Sequence, residues 1–227
     1  MRPAAPGSPW AHPRAQPYVI GHRGNSRDEM ERFVERGADF VEVDLWVHHG
    51  QFESRHERAL YPLPILFEKW YLKRRSPAFD LALALDQLAG RAWLFLDLKN
   101  GGEAVVPLVA EALRRFPAMP IAASGSDWGM LRALSDRVPN VDVFYSMAVI
   151  ERLDLFYSVV GRDARPIGVS CRAELLTRDV VDELHEMGIR VIAWTVDQVD
   201  RARRLANWGV DAITTHRPAE VRAILGP

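Results

Sequence analysis

Residues 40–46 read Phe-Val-Glu-Val-Asp-Leu-Trp, and this run decides what kind of fold the chain adopts. Its β-branched and aromatic residues favour a strand. Successive side chains of a strand point to opposite faces, so Glu42 and Asp44 share one face. The run is therefore predicted to be a largely apolar strand that presents two carboxylates side by side.

Short apolar strands and amphipathic helices alternate around this run. Tyr18-Val-Ile20 predicts a strand before it, and residues 28–37 predict the intervening helix, with Met30, Phe33 and Val34 at helical spacing. Further strands are predicted at 51–55, 92–98, 119–123, 141–145, 167–170, 191–195 and 211–214. Alternation of this kind indicates parallel strands joined by helical crossovers.

The strand pattern predicts an α/β fold, a (β/α)8 TIM-type barrel with a short insertion after the third strand segment. The strand pattern contains one strand more than an eight-stranded barrel needs. We interpret the extra strand, residues 51–55, as a hairpin arm. No Gly-rich phosphate loop follows a strand, which disfavours the alternative of an open doubly wound sheet. We expect residues 18–227 to form a single barrel domain behind a flexible lead, residues 1–17.

Residues 57–80 interrupt the alternation. Pro62 and Pro64 precede an apolar and aromatic run, residues 65–72, that ends in basic side chains. This segment is predicted to be a helix or loop. Two interpretations stay open: an excursion packed over one end of the barrel, or a lid that touches a lipid-like or anionic substrate.

Composition excludes several classes of protein. The chain has 227 residues, with 29 basic and 30 acidic side chains, and this balance argues against a nucleic-acid partner. The single cysteine, Cys171, excludes an internal disulfide. No apolar run reaches the ~18 residues of a membrane span. The lead lacks a signal-peptide core, so a cytoplasmic protein is expected, and the oligomeric state stays open.

Several side chains capable of chemistry fall at predicted strand ends, where (β/α)8 barrels carry their active sites. They are His22, Glu42, Asp44, His56, Asp97 and Lys99. Three carboxylates suit a hard divalent cation, Mg²⁺ or Ca²⁺. Two histidines beside that ion suit general acid–base chemistry. Together these groups suit phosphodiester cleavage, because the ion offsets phosphate charge while the imidazoles move protons.

The same residues resemble the glycerophosphodiester phosphodiesterase superfamily over roughly residues 18–220. The resemblance lies in His22-Arg-Gly24, the Glu42-Val-Asp44 pair, His56, Trp194-Thr-Val196 and the run from Gly209 to Thr215. It implies a TIM-type barrel with a divalent metal held by Glu42, Asp44 and Asp97. It also implies catalytic roles for His22 and His56, phosphate contacts from Arg23 and Lys99, and a pocket lined by Trp194.

Departures from the superfamily pattern point towards its sphingomyelinase D/phospholipase D branch. Residues 25–30 lack the usual Pro-Glu-Asn-Thr stretch, and Asp97-Leu-Lys99 replaces a Glu-Ile-Lys-like run. The usual His-Asp pair is His56-Glu57 here. Against that branch stand the intact Arg23-Gly24, the missing disulfide cysteines and a chain that stops after its last helix.

The leading expectation is a metal-dependent phosphodiesterase that hydrolyses glycerophosphodiesters to glycerol phosphate and an alcohol. The first alternative is a phospholipase D-like lyase that forms a cyclic phosphate from lysophospholipids or sphingomyelin. The second is a degenerate barrel that binds phosphorylated ligands without turnover. The expected partner is a small-molecule or lipid-derived phosphodiester, with transient membrane-surface contact left open.

Overall fold

The computed structural model describes residues 4–60, 63, 65–68, 71–74, 79–159 and 166–226. The strands are β1 Tyr18–Gly21, β2 Phe40–His48, β3 Gln51–Ser54, β4 Arg58–Leu60, β5 Ile65–Glu68, β6 Tyr71–Arg74, β7 Trp93–Leu98, β8 Ile121–Gly125, β9 Val141–Met147, β10 Gly168–Arg172, β11 Arg190–Trp194 and β12 Ala212–Thr215. The α-helices are α1 Arg27–Glu35, α2 Leu81–Leu88, α3 Val105–Leu113, α4 Trp128–Arg137, α5 Ile150–Val159, α6 Arg178–Glu186, α7 Val199–Asn207 and α8 Pro218–Leu225.

Eight parallel strands form a closed barrel. Around it the order is β1, β2, β7, β8, β9, β10, β11 and β12, and β1 pairs with both β2 and β12. Because the first strand bonds to the last, no barrel edge is left unpaired. The predicted (β/α)8 barrel is confirmed, and it places the carboxyl ends of all eight strands around one mouth.

The helices cover the barrel because their apolar faces match those of the strands. Helix α1 begins at Ser26, whose hydroxyl accepts the Glu29 N–H at 3.3 Å and donates to the Glu29 carboxylate at 2.9 Å. Ser26 is therefore the N-cap of this helix. Met30 and Phe33, which the spacing placed on one face, are buried. None of the helices in the described part of the chain has the length and apolar character needed to cross a bilayer.

Strand β3 is the predicted hairpin arm. It runs antiparallel to β2, with Leu45 opposite Ser54 and His48 opposite Gln51. The turn between β2 and β3 consists of His49 and Gly50, which have left-handed φ values of 48° and 72°. Positive φ at both central residues is typical of a two-residue hairpin turn, because its twist matches that of the flanking strands. The arm returns the chain to the barrel mouth, which brings the residues after Ser54 next to β2.

The insertion differs from the predicted helix or loop. Strands β4, β5 and β6 form a small antiparallel sheet in which Leu66 is buried. The periodicity of a short apolar run does not separate helix from strand, and pairing with β4 and β6 decides the conformation here. Residues 69, 70 and 75–78, on which the lid interpretation depends, lie outside the described residues.

Residues 4–17, expected to be a flexible lead, pack across the amino end of the barrel. Trp10 is 3% exposed, and its ring centroid lies 5.0 Å from those of Tyr18 and Phe40 and 4.9 Å from that of Phe144. Asp142 on β9 accepts the Ala5 N–H at 2.8 Å and the Ser8 hydroxyl. The segment therefore closes the end of the barrel opposite the mouth.

We predict that Trp10→Ala destabilises the protein by about 3–5 kcal/mol, because it removes an aromatic side chain from a packed cluster. Urea denaturation measures the loss. His12→Ala, two residues along the same segment and exposed, is the matched control and should stay within ~0.5 kcal/mol of the parent. Equal unfolding midpoints for Trp10→Ala and the parent would contradict the packing described.

Candidate active site

Three carboxylates, two of them buried and the third partly exposed, meet where β2 and β7 reach the barrel mouth. Glu42 and Asp44 lie on one face of β2, and Asp97 on β7 is the register partner of Asp44. One carboxylate oxygen from each of the three lies within 4.8 Å of the others. The structure thus brings together the three acids that the sequence predicted to share a site.

Nearby groups hold these carboxylates in place. Lys99 Nζ lies 2.7 Å from Asp44 Oδ1 and also pairs with Asp97. The Asn25 amide donates to Asp44 Oδ2 at 2.8 Å, and its oxygen accepts the Asp44 N–H at 2.9 Å. The backbone N–H of Arg23 donates to Glu42 Oε2 at 2.7 Å. Every acid of the cluster is therefore oriented by at least one of these neighbours.

The pKa shifts show that the cluster carries more negative charge than Lys99 offsets. Burial raises the pKa of Glu42 well above its usual value, and the carboxylates of Asp44 and Asp97 raise it further. Burial also raises the pKa of Asp97 against the opposing effect of Lys99. For Asp44 the same burial is outweighed by Lys99 and Asn25, so its pKa is lowered. The three carboxylates raise the pKa of Lys99 despite its burial.

This cluster fits a divalent cation. Asp44 Oδ1 is buried, and its partner among the described residues is the Lys99 ammonium at 2.7 Å. An added positive charge would offset the repulsion that raises the pKa of Glu42. The donor set is all oxygen, which suits Mg²⁺ or Ca²⁺ rather than a softer metal.

The turn after β1 explains the His22-Arg-Gly24 motif. Arg23 has a left-handed φ of 64°, which directs its N–H to the Glu42 carboxylate. Gly24 donates its own N–H to the Glu42 carbonyl at 2.7 Å. A Cβ on Gly24 would lie 2.2 Å from the Val41 side chain, so this close approach requires glycine.

His22 is held at the mouth by contacts from β1, β11 and β12. The backbone N–H of His22 donates to the Thr215 carbonyl at 2.9 Å. The ring Nδ1 of His22 lies 3.3 Å from the Thr195 hydroxyl. Burial lowers its pKa to about 3, and the neighbouring His216 contributes in the same direction. His22 is therefore in its neutral form at physiological pH.

His56 reaches the mouth through the β2–β3 hairpin. After β3, the Arg55 N–H donates to the Asp44 carbonyl at 3.1 Å, which places the next residue beside the carboxylates. The Arg23 guanidinium lies 2.8 Å from His56 Nε2. Because a guanidinium only donates, Nε2 is the acceptor and the proton of the neutral ring is on Nδ1.

Both histidines open into one cavity of about 340 Å³ at the barrel mouth. Seven of the eight side chains that the sequence singled out line it: His22, Arg23, Glu42, His56, Asp97, Lys99 and Trp194. Asp44, the eighth, is fully buried behind them. The cavity thus combines carboxylates, imidazoles and two permanent cations with one aromatic wall.

Sequence reasoning left three supporting residues outside the predicted site. Asn25 orients Asp44, although the sequence marked it only as part of an altered stretch. His216 lies with its ring centroid 4.5 Å from that of His22, and Asp197 accepts both its backbone N–H, at 2.8 Å, and its ring Nδ1, at 2.9 Å. His216 follows β12 and Asp197 follows β11. These positions after barrel strands were the sequence feature that could have placed both residues at the mouth.

Comparisons with known proteins agree with the fold. The model of the glycerophosphoryl diester phosphodiesterase family matches residues 110–220. A Silicibacter pomeroyi DSS-3 protein that carries this family's name is 21% identical over 94% of each chain, with a TM-score of 0.77. An Oleispira antarctica phosphodiesterase in complex with the product sn-glycerol-3-phosphate is 19% identical, covering 92% of this chain and 96% of that chain, with a TM-score of 0.73. A Parabacteroides distasonis glycerophosphodiester phosphodiesterase is 20% identical, covering 92% and 97%, with a TM-score of 0.71.

No curated protein matches the chain. The family match bears out the resemblance to the glycerophosphodiester phosphodiesterase superfamily over residues 110–220 and supports the predicted enzyme class. The solved structures, at this level of identity, establish the barrel fold. Of the predicted site residues, only Trp194 lies within the matched range, so the roles of the others are argued from their geometry.

We predict that the ring of His22 titrates far below the ordinary histidine value of 6.5 in the protein without added divalent ions. Because the folded-state pKa is depressed, His22 lowers stability progressively as the pH falls from 6.5 towards 3. NMR of the histidine side chains measures the pKa directly. His216→Gln should raise it, since one source of positive charge is removed, whereas His12→Gln should not. An ordinary His22 pKa in the parent would contradict its burial.

Proposed function

We propose that this protein is a divalent-metal-dependent phosphodiesterase that hydrolyses glycerophosphodiesters to glycerol phosphate and an alcohol. The observation that carries this proposal is the single cavity lined by both His22 and His56 together with the carboxylate cluster. Two imidazoles beside a cation-binding cluster match the needs of a reaction that moves two protons around an anionic phosphorus centre.

Glu42, Asp44 and Asp97 are the proposed ligands of Mg²⁺ or Ca²⁺. When bound, such an ion supplies positive charge that stabilises the oxygens of the phosphodiester as negative charge develops on them. Asn25 and the Arg23 N–H keep two of the three ligands oriented, as supporting groups around metal sites do.

His22 and His56 are the proposed catalytic residues. His22 is neutral, so it accepts the proton of the attacking water. His56 is assigned the opposite task, the delivery of a proton to the leaving alcohol oxygen. It accepts a hydrogen bond from Arg23 at the nitrogen that would carry this proton. A phosphate group that engages Arg23 would therefore release His56 Nε2 for protonation.

Arg23, Lys99 and Trp194 are the proposed substrate-binding residues. The guanidinium and the ammonium open into the same cavity and suit the charge of a phosphodiester. Trp194 supplies an apolar wall for the carbon skeleton of the substrate. The proposed substrate is a small-molecule or lipid-derived phosphodiester rather than a nucleic acid, and a cytoplasmic location stays a prediction from the sequence.

Addition of Mg²⁺ or Ca²⁺ should raise the Tm by roughly 5–10 °C at about a hundred times the Kd, because only the folded protein presents the carboxylate cluster. Thermal unfolding with and without EDTA measures the shift. Asp97→Asn and Glu42→Gln should abolish it, and the exposed Asp86→Asn, on α2, should not. No shift in the parent would support the degenerate-barrel alternative.

His22→Ala and His56→Ala should each lower the rate of glycerophosphocholine hydrolysis by about 10²- to 10⁴-fold, since each removes a proton-transfer group. Phosphorus NMR in the presence of Mg²⁺ follows substrate and product. The surface variant His12→Ala is the control and should retain the parental rate. Full activity in both active-site variants would overturn the two-histidine mechanism.

The identity of the product separates the two enzymatic alternatives. Free glycerol phosphate indicates hydrolysis, whereas a cyclic phosphate indicates attack by a hydroxyl of the substrate itself, as in the phospholipase D-like alternative. The same NMR experiment, repeated with lysophosphatidylcholine, shows whether a lipid-derived diester is accepted.

A further inference from the structure

Three neighbouring strands, β1, β12 and β11, bring a second histidine against the first histidine of the site. β12 lies between β1 and β11 in the barrel, and Gly21 of β1 is the register partner of Thr215 of β12. His22 and His216 each follow one of these register partners, so they leave the barrel next to each other. Their ring centroids lie 4.5 Å apart, with the ring planes inclined by 53°.

Asp197 fixes the side chain of His216 with both of its carboxylate oxygens. Oδ1 accepts the His216 backbone N–H at 2.8 Å, and Oδ2 lies 2.9 Å from the ring Nδ1. A carboxylate only accepts, so Nδ1 carries a proton. Although partial burial raises the pKa of Asp197, the hydrogen bonds from His216 lower it below its usual value, so Asp197 is a carboxylate at neutral pH. The ring of His216 therefore cannot turn without losing a hydrogen bond to a charged group.

Thr215 connects this arrangement back to His22. The Thr215 hydroxyl donates to Asp197 Oδ1 at 3.0 Å, and the Thr215 carbonyl accepts the His22 backbone N–H at 2.9 Å. The contacts thus form a closed circuit in which each of the four residues touches the next. We call Asp197 and His216 the rim pair, because their side chains are 43% and 44% exposed at the edge of the mouth.

The ring of His22 has little else to hold it. Within the described part of the chain, its ring makes one hydrogen bond, between Nδ1 and the Thr195 hydroxyl, and the distance of 3.3 Å is long for such a bond. His216 packs against the same ring, yet among the described residues it does not line the cavity into which His22 opens. Contact with His22 is therefore the route by which His216 acts on the site.

We propose that the rim pair positions His22: Asp197 orients His216, and the ring of His216 keeps the imidazole of His22 turned to the cavity. The inference rests on the proposed function, in which His22 takes the proton of the attacking water, and it adds the residues that keep this base in place. Misplacement of a reacting group by about 1 Å costs about a hundredfold in rate. Asp197 and His216 are accordingly positioning residues rather than groups that touch the substrate.

The first test is the hydrolysis of glycerophosphocholine, with Mg²⁺ present, by His216→Ala and Asp197→Ala. Each variant should lower kcat about 10- to 100-fold and change KM by less than about twofold, because the base is misplaced while the substrate-binding side chains keep their positions. Asp197→Asn should retain about half of the parental kcat or more, since its amide still accepts the His216 N–H and donates to the ring nitrogen. A raised KM with an unchanged kcat would overturn the proposal, because it would place the rim pair on the substrate.

The second test removes the residue through which the rim pair acts. His22→Ala combined with His216→Ala should hydrolyse the diester as fast as His22→Ala alone, because no ring is left to position. A further loss of about tenfold in the double variant would mean that His216 acts independently, and the proposal would be wrong.

His185→Ala is the matched control. His185 also pairs with an aspartate at 2.9 Å, Asp211, but it lies in the last turn of α6, at the end of the barrel opposite the mouth. This variant should keep the parental kcat. If His216→Ala fails to fold, Asp197→Ala and Asp197→Asn carry the test.

The ring of His22 also gives a measurement that does not need catalysis. NMR relaxation of its carbon–proton groups should show a rigid ring in the parent and in His185→Ala, and a mobile ring in His216→Ala and Asp197→Ala. A parent that shows this pattern but does not cleave the diester retains the rim pair and disproves the function. A parent that cleaves the diester with both proposed catalytic histidines, and keeps its kcat in His216→Ala and Asp197→Ala, retains the function and disproves the rim pair.

Discussion

Three carboxylates lie against each other with one ammonium between them, and this cluster sets the conditions for the rest of the site. Glu42, Asp44 and Asp97 cannot all be ionised in a buried cluster without more positive charge than Lys99 provides. The surrounding turn and strands direct donors towards them, through the Arg23 N–H and the Asn25 amide. A cluster of this kind is stable either with protons bound or with a cation, and the second state is the one useful for phosphate chemistry.

The charged site and the packing that stabilises the barrel lie at opposite ends of the barrel. The end opposite the mouth is closed by Trp10, which packs among the aromatic rings of the first barrel strands. Polar contacts hold the lead there as well: Asp142 accepts the Ala5 N–H, and Arg190, paired with Asp211, donates to the Trp10 carbonyl. Separation of this kind is typical of the fold, because one end of the strands provides stability while the other carries the reactive groups.

The mouth itself has two chemically different sides. Charged and titratable groups converge from β1, β2, β7 and the β2–β3 hairpin, and uncharged hydroxyls line β8, β9, β10 and β12. The net charge of the chain, −1, does not reveal this arrangement, since the cationic and anionic groups of the site nearly cancel.

The sequence by itself predicted the alternation of strands and helices, the barrel class and the group of reactive side chains at the strand ends. It could do so because alternation along a strand and the position of a strand end are local properties. Tertiary structure alone decided that the 58–74 segment pairs as a sheet, that the lead packs on the barrel, and that His216 lies against His22. Each of these facts depends on contacts between residues far apart in the chain, which no local pattern specifies.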